Sequence, residues 1–219
     1  MPTRLPTTPL ATLDHLVVAA TTLADGIDWA AAMTGVVPVP GGKHVTMGTH
    51  NALVRLSATT YLEVIAIDPG GAKPARRRWF DLDDIALQAE LAEQPRLVHW
   101  VARTDDIEAA VAGCPLPLGT VHALQRGDYR WRITIPDDGS RPGRGLVPTL
   151  IQWDVPAHPA TTLAKSNVTL AQLAGTHPDP APLRAALAAL GLGDAIAITF
   201  DRETRIAAML RTPLGIATL

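Results

Sequence analysis

The sequence predicts an α+β protein assembled from βαβββ modules, and three observations carry that prediction. An apolar segment with a histidine at its centre occurs twice, over residues 13–19 and again over residues 96–102. Each copy is followed by the signature of a helix start, Thr22 with Asp25 three residues on and Asp105 with Glu108 three residues on, whose side chains can cap exposed backbone N–H groups. Each helical stretch then gives way to three short extended runs separated by Pro, Gly and Asp, the pattern of a hairpin-linked meander.

In the first module, residues 11–70, helical spacing through Ile27, Trp29 and Ala30 stops at Gly35, and strands are expected around Val45, over 52–56 and over 61–67. In the second, residues 95–156, the helix runs through Ile107, Ala110 and Val111 to Gly113. Its strands are expected around Val121, over 129–135 and over 149–155, with Asp137-Asp138-Gly139 turning the chain between the last two. A linker rich in proline and alanine, about residues 156–165, precedes a weaker third module over 166–219. There a strand over 168–173 is followed by a helix that Asp179 opens and Gly191 closes, with strands over 195–200, 205–210 and 215–219. This copy has no histidine or carboxylate in the middle of its strands, so a structural or homodimer-forming role is expected of it.

With 219 residues, 47% of them hydrophobic, the chain has ample material for a buried core. The 19 basic residues are dispersed among 21 acidic ones for a net charge of -2, which gives no electrostatic footprint for nucleic acid. The one dense basic run, Arg76-Arg77-Arg78, reads as a solvated loop. The single cysteine, Cys114, excludes an internal disulfide and points to a reducing interior. Met1 to Pro9 lacks the apolar run of a signal peptide, and no segment has the apolar length of a membrane span, so a cytoplasmic protein is expected.

Strand alternation gives His15 the face of Leu13 and Val17, His99 the face of Leu97 and Val101, and Glu63 the face of Tyr61 and Ile65. An ionised Glu63 among such neighbours would cost several kcal/mol unless a metal ion or a hydrogen-bonding substrate met it. Gln152 reads as the second module's equivalent of Glu63. His15, Glu63, His99 and Gln152 then make a donor set suited to divalent Fe, Mn, Ni or Zn. The alternative is that each histidine is a satisfied, half-buried residue in a metal-free pocket. Of the Gly48-Thr49-His50-Asn51 stretch, His50 is a candidate general acid or base and Asn51 a substrate contact, with His44 in the preceding turn as another. Arg132, between Trp131 and Ile133, could hold a carboxylate or phosphate. His122, His158 and His177 read as solvent-facing loop residues, Cys114 has no evident activating partner, and neither a phosphate-binding loop nor a nucleophile elbow is present.

These segments resemble the glyoxalase-like domain family of the vicinal oxygen chelate superfamily. The resemblance is carried by Leu13-Asp14-His15-Leu16-Val17, by Gly41-Gly42-Lys43-His44 with Gly48-Thr49-His50-Asn51-Ala52-Leu53, and by Tyr61-Leu62-Glu63-Val64-Ile65. Trp131-Arg132-Ile133 and Pro148-Thr149-Leu150-Ile151-Gln152-Trp153 extend it to about residues 13–153. It implies a cupped half-barrel of paired modules, with His15, Glu63, His99 and Gln152 at the positions of the superfamily's metal ligands. Gln152 stands where many metal-using members have glutamate, which weakens metal affinity and removes a candidate base.

Two readings of function follow. The first is a metal-dependent enzyme acting on a small oxygen-rich molecule, with lyase or isomerase chemistry favoured over dioxygenation and Glu63 or His50 moving a proton. The second is a metal-free binding or resistance protein whose cup is lined by Trp100, Trp131 and Trp153.

Overall fold

The computed structural model describes residues 10–219, so the reading of Met1 to Pro9 lies outside the described residues. The first module contributes β1 (Thr12–Ala19), α1 (Leu23–Thr34), β2 (Val39–His44), β3 (Thr49–Arg55) and β4 (Tyr61–Ile67). After α2 (Ile85–Glu93), the second contributes β5 (Arg96–Arg103), α3 (Ile107–Gly113), β6 (Thr120–Arg126), β7 (Tyr129–Ile135) and β8 (Thr149–Trp153). The short α4 (Pro159–Thr162) leads on to β9 (Thr169–His177), α5 (Pro180–Ala189), β10 (Ala197–Phe200), β11 (Arg205–Thr212) and β12 (Gly215–Thr218).

In both of the first two modules the last strand returns parallel to the first, β4 beside β1 and β8 beside β5. An antiparallel pairing of β1 with β5 joins them into one eight-stranded sheet, ordered β2-β3-β4-β1-β5-β8-β7-β6. This pairing is reciprocal about Leu16 opposite Trp100, with His15 facing Val101 and Val17 facing His99. The sheet curls until its two edges meet, where Arg126 on β6 donates to His44 Nε2 on β2 at 3.1 Å. The expected half-barrel of paired modules is therefore present.

The third module keeps the expected order of elements but pairs differently. Here β9 lies between β10, parallel, and β11, antiparallel, giving a separate sheet ordered β10-β9-β11-β12. Its apolar face, with Leu173, Ala208 and Leu210, joins α5 (Leu183, Leu187) and α3 (Ile107, Ala110) in one core. That core covers the outer face of the large sheet at Leu16, Leu62, Trp100 and Leu150. Trp100 belongs to it and donates from Nε1 to Leu146 O at 3.2 Å, so the expectation that Trp100 lines the cavity is corrected. Alternation along β5 gives it the face opposite Val101.

Local signals placed several elements as expected. Thr22 caps α1 by accepting from Asp25 N at 3.2 Å, and Gly35 ends it with φ of 70°. The cap of α3 is Asp106 rather than Asp105, accepting from Ala109 N at 3.0 Å. Val45 lies in a 3-10 turn instead of a strand. The larger departure is the segment from Asp68 to Asp84, which does more than loop through solvent. It lays Trp79, Phe80 and Leu82 into a second core with Val17, Ile65, Val101, Ile133 and Ile151 on the inner face of the large sheet. An ion pair from Arg141 to Asp81 (2.7 Å) ties it to the β7–β8 connection, one from Arg78 to Asp83 (2.6 Å) braces it internally, and Asp84 then caps α2.

This segment depends on a close backbone approach at Gly139. Its carbonyl accepts from Asp81 N at 2.9 Å, its φ is 75°, and a Cβ there would fall 2.1 Å from Arg78 O. Gly139→Ala should lower stability by about 1–3 kcal/mol and loosen the covering segment. An unchanged urea midpoint would mean that the 78–81 backbone is not fixed by this contact.

Candidate active site

The inner face of the large sheet, roofed by Trp79 and Phe80, encloses a pocket of about 380 Å³ of atom-free space, mouth included. One end is polar. His15 from β1, Glu63 from β4, Asn51 from β3, His44 from β2 and Arg126 from β6 converge there, with Tyr61 stacked on the His15 ring at 4.5 Å between centroids. Trp79, Phe80, Trp131, Ile133, Ile151 and Trp153 line the rest, and they reach the polar group itself, Trp79 lying 5.0 Å from the His44 ring.

His15 is oriented by its neighbour in the chain. A break in register places Asp14 as an extra residue between Leu13 and His15, and this bulge brings the Asp14 carboxylate beside the imidazole. His15 Nδ1 donates to Asp14 Oδ1 at 2.7 Å, which leaves Nε2 facing the pocket, 3.6 Å from Glu63 Oε2. The second Asp14 oxygen accepts from Trp153 Nε1 and from His158 Nε2, each at 3.0 Å. Burial alone would raise the Asp14 carboxyl, but the hydrogen bonds from His15 and His158 outweigh it and hold the group well below the usual carboxylate range.

Glu63 is fixed on its other oxygen, Oε1, which accepts from Asn51 Nδ2 at 2.5 Å. Asn51 Oδ1 in turn accepts from Arg126 at 3.2 Å, so an amide bridges the carboxylate and the guanidinium. Burial, and then the Arg126 charge, push His44 down to about 3. The neutral ring accepts from Arg126 at Nε2 and donates to Thr49 Oγ1 from Nδ1 at 3.1 Å. Burial, and next the Asp14 and Glu63 charges, push the Tyr61 phenol well above its usual range, so it stays protonated and a donor.

Of the four residues expected to hold a metal ion, only His15 and Glu63 face one another. His99 is fully buried, its Nε2 engaged by the Thr149 N–H (3.1 Å) and hydroxyl (3.0 Å), and its ring packed 5.2 Å from Phe80. Gln152 is corrected to the outer face of β8, where its Oε1 accepts from Ile107 N at the start of α3 at 2.9 Å. The register gives the reason. Val17 pairs with Glu63 while its counterpart Val101 pairs with Thr149, so Thr149 and not Gln152 holds the place of Glu63. Among the described residues no group of three or more His, Cys, Asp or Glu is arranged to hold an ion. The residues present therefore do not fit a divalent metal held by the expected four donors.

His50 and Arg132 are corrected for the same reason of alternation. His50 is turned to the face of β3 opposite Asn51, and Arg132 to the face of β7 opposite Trp131, where it pairs with Asp154 at 3.2 Å. His44, Asn51 and Trp131 do line the pocket. Asp14, Tyr61, Trp79, Phe80 and Arg126 were not anticipated, and His158, expected in solvent, is largely buried against Asp14. The Asp14-His15 adjacency was the one visible signal, and alternation argued against using it.

Comparison with known proteins agrees with this architecture. The family model of the glyoxalase-like domain matches residues 13–191. The chain belongs to the glyoxalase-like domain family. A hypothetical protein from Staphylococcus aureus shares the fold of this glyoxalase-like chain at 14% identity and a TM-score of 0.57, over 90% of this chain and 88% of that one. Methylmalonyl-CoA epimerase from Mycobacterium tuberculosis aligns at 20% identity and a TM-score of 0.39, over 68% and 92% of the two chains. A hypothetical protein from Bacillus halodurans C-125 aligns at 13% identity and 0.40, over 68% and 96%. No curated protein matches the chain.

The buried imidazoles make stability depend on pH. The folded pKa of both His44 and His99 is depressed to about 3, burial being the main cause in each. The unfolded chain takes up these protons near pH 6.5 and the folded chain does not, so stability is lost as pH falls from about 6.5 towards 3. Each histidine contributes a slope of about 1.4 kcal/mol per pH unit in that window. His99→Gln should reduce the slope by one such proton in urea titrations between pH 6 and 4. An unaltered slope would place the proton uptake elsewhere.

Proposed function

We propose that this glyoxalase-like protein is an enzyme that moves a proton on a small oxygen-rich molecule, in lyase or isomerase chemistry. The observation that carries the reading is the Asp14-His15 dyad, whose Nε2 faces Glu63 across 3.6 Å within the pocket on the inner face of the sheet. On an α-hydroxy ketone, His15 takes the proton from the carbon that bears the hydroxyl, the electron pair passes to the carbonyl oxygen, the hydroxyl proton moves to that oxygen, and His15 returns its proton to the former carbonyl carbon as the other oxygen becomes the carbonyl. Asp14 and Glu63 stabilise the imidazolium formed between these steps, as a buried carboxylate does for a catalytic histidine. The Tyr61 phenol, a persistent donor, meets the oxyanion. No step is routed through a metal ion, because the donors do not converge on one. No helix among the described residues is long and apolar enough to cross a membrane, and with the free Cys114 this favours a reducing compartment such as the cytoplasm.

The test is deuterium incorporation, followed by NMR in D₂O, into a panel of small 2-oxo acids and α-hydroxy ketones. Exchange next to the carbonyl should exceed the protein-free rate and fall by about 100- to 10,000-fold in His15→Gln with the circular dichroism unchanged. No exchange across the panel, or exchange that survives the substitution, would sink the enzyme reading. Binding without exchange would leave a binding cup.

A further inference from the structure

Arg126 is the one cation among the residues lining the pocket. It comes from the far edge of the sheet and spends Nη1 on two neutral acceptors, His44 Nε2 and Asn51 Oδ1. Among the described residues no carboxylate lies within ion-pair distance of it, and Asn51 separates it from Glu63. The β2 strand makes room for this arrangement with two glycines. A Cβ on Gly42 would fall 2.9 Å from Arg126 Cδ, and one on Gly41 only 2.2 Å from Asn51 Oδ1. A half-buried guanidinium with unspent N–H donors presents the geometry that matches a planar carboxylate.

Beside this charge the pocket is aromatic, with Trp79 5.0 Å and Trp131 6.4 Å from the His44 ring that Arg126 contacts. Trp79 and Phe80 stack at 5.3 Å between centroids, and Trp131 and Trp153 lie 5.7 Å apart. Such walls exclude water around a bound body and strengthen a charge pair at its end. We infer that the ligand of this site is a small monocarboxylate with an apolar or aromatic body, its carboxylate on Arg126 and its body between these two aromatic pairs. The inference rests on the proposed proton-transfer site, since an anchored carboxylate brings the adjacent carbon towards His15 and Glu63.

Binding is measured apart from turnover, so the two readings fail separately. Saturation-transfer NMR with the intact chain compares phenylpyruvate and mandelate with mandelamide, which keeps the body and removes the charge. The carboxylates should bind and mandelamide should bind at least tenfold more weakly. Arg126→Met should abolish the preference, while Arg132→Met, whose side chain is on the outer face, should retain it. Equal binding of acid and amide, carboxylate binding undiminished in Arg126→Met, or no carboxylate binding at all would each overturn the inference. Carboxylate binding without deuterium exchange would uphold it and overturn only the catalytic reading.

Discussion

The antiparallel pairing of β1 with β5 is the constraint on which the rest of the molecule depends. It makes one curled sheet out of two modules that would each expose an inner face, and it brings Leu16 and Trp100 together under the outer core. Its irregularities matter as much as its regular pairs. The bulge at Asp14 accompanies a carboxylate set beside the His15 ring, and a second register shift leaves Val98 without a partner next to His99, which Phe80 covers. The sheet presents a dyad on one side and, on the other, a buried histidine held at Nε2 by Thr149 and packed against Phe80, its Nδ1 without a hydrogen-bond partner.

The site is a set of buried charges balanced at short range. Asp14 is wholly inaccessible, yet it accepts from His15, His158 and Trp153 and has Arg103 at 3.7 Å. Such a charge is tolerated only when its hydrogen bonds are made, so the group is committed to orienting its neighbours. Two of those neighbours come from the end of β8 and from the segment leading to the third module. The segment continues through Ala160, which packs with Leu53 and Tyr61. The linker therefore forms part of the wall behind His15, which its proline- and alanine-rich composition did not indicate.

Much of the fold was legible because its signals are local. The repeated histidine strand, the Thr22 cap and the Gly35 stop each act over a few residues, and the structure has all three. The glyoxalase-like resemblance carried the order of elements further. The site was legible in part: His15, Glu63, His44, Asn51 and Trp131 do line the pocket. His50, Arg132 and Gln152 were misplaced because each adjoins a residue that faces inward, and a one-residue error in phase reverses the face of a strand.

The sequence by itself determined the modules, their helices and the apolar faces, since these follow from periodicity and capping within each segment. Tertiary structure decided which polar groups meet. Asp14, Glu63, Arg126 and His158 are scattered along the chain, and their convergence depends on a bulge, on the curl that joins the sheet edges and on the path of the linker. None of these leaves a periodic trace, because each arises from packing between elements rather than within one.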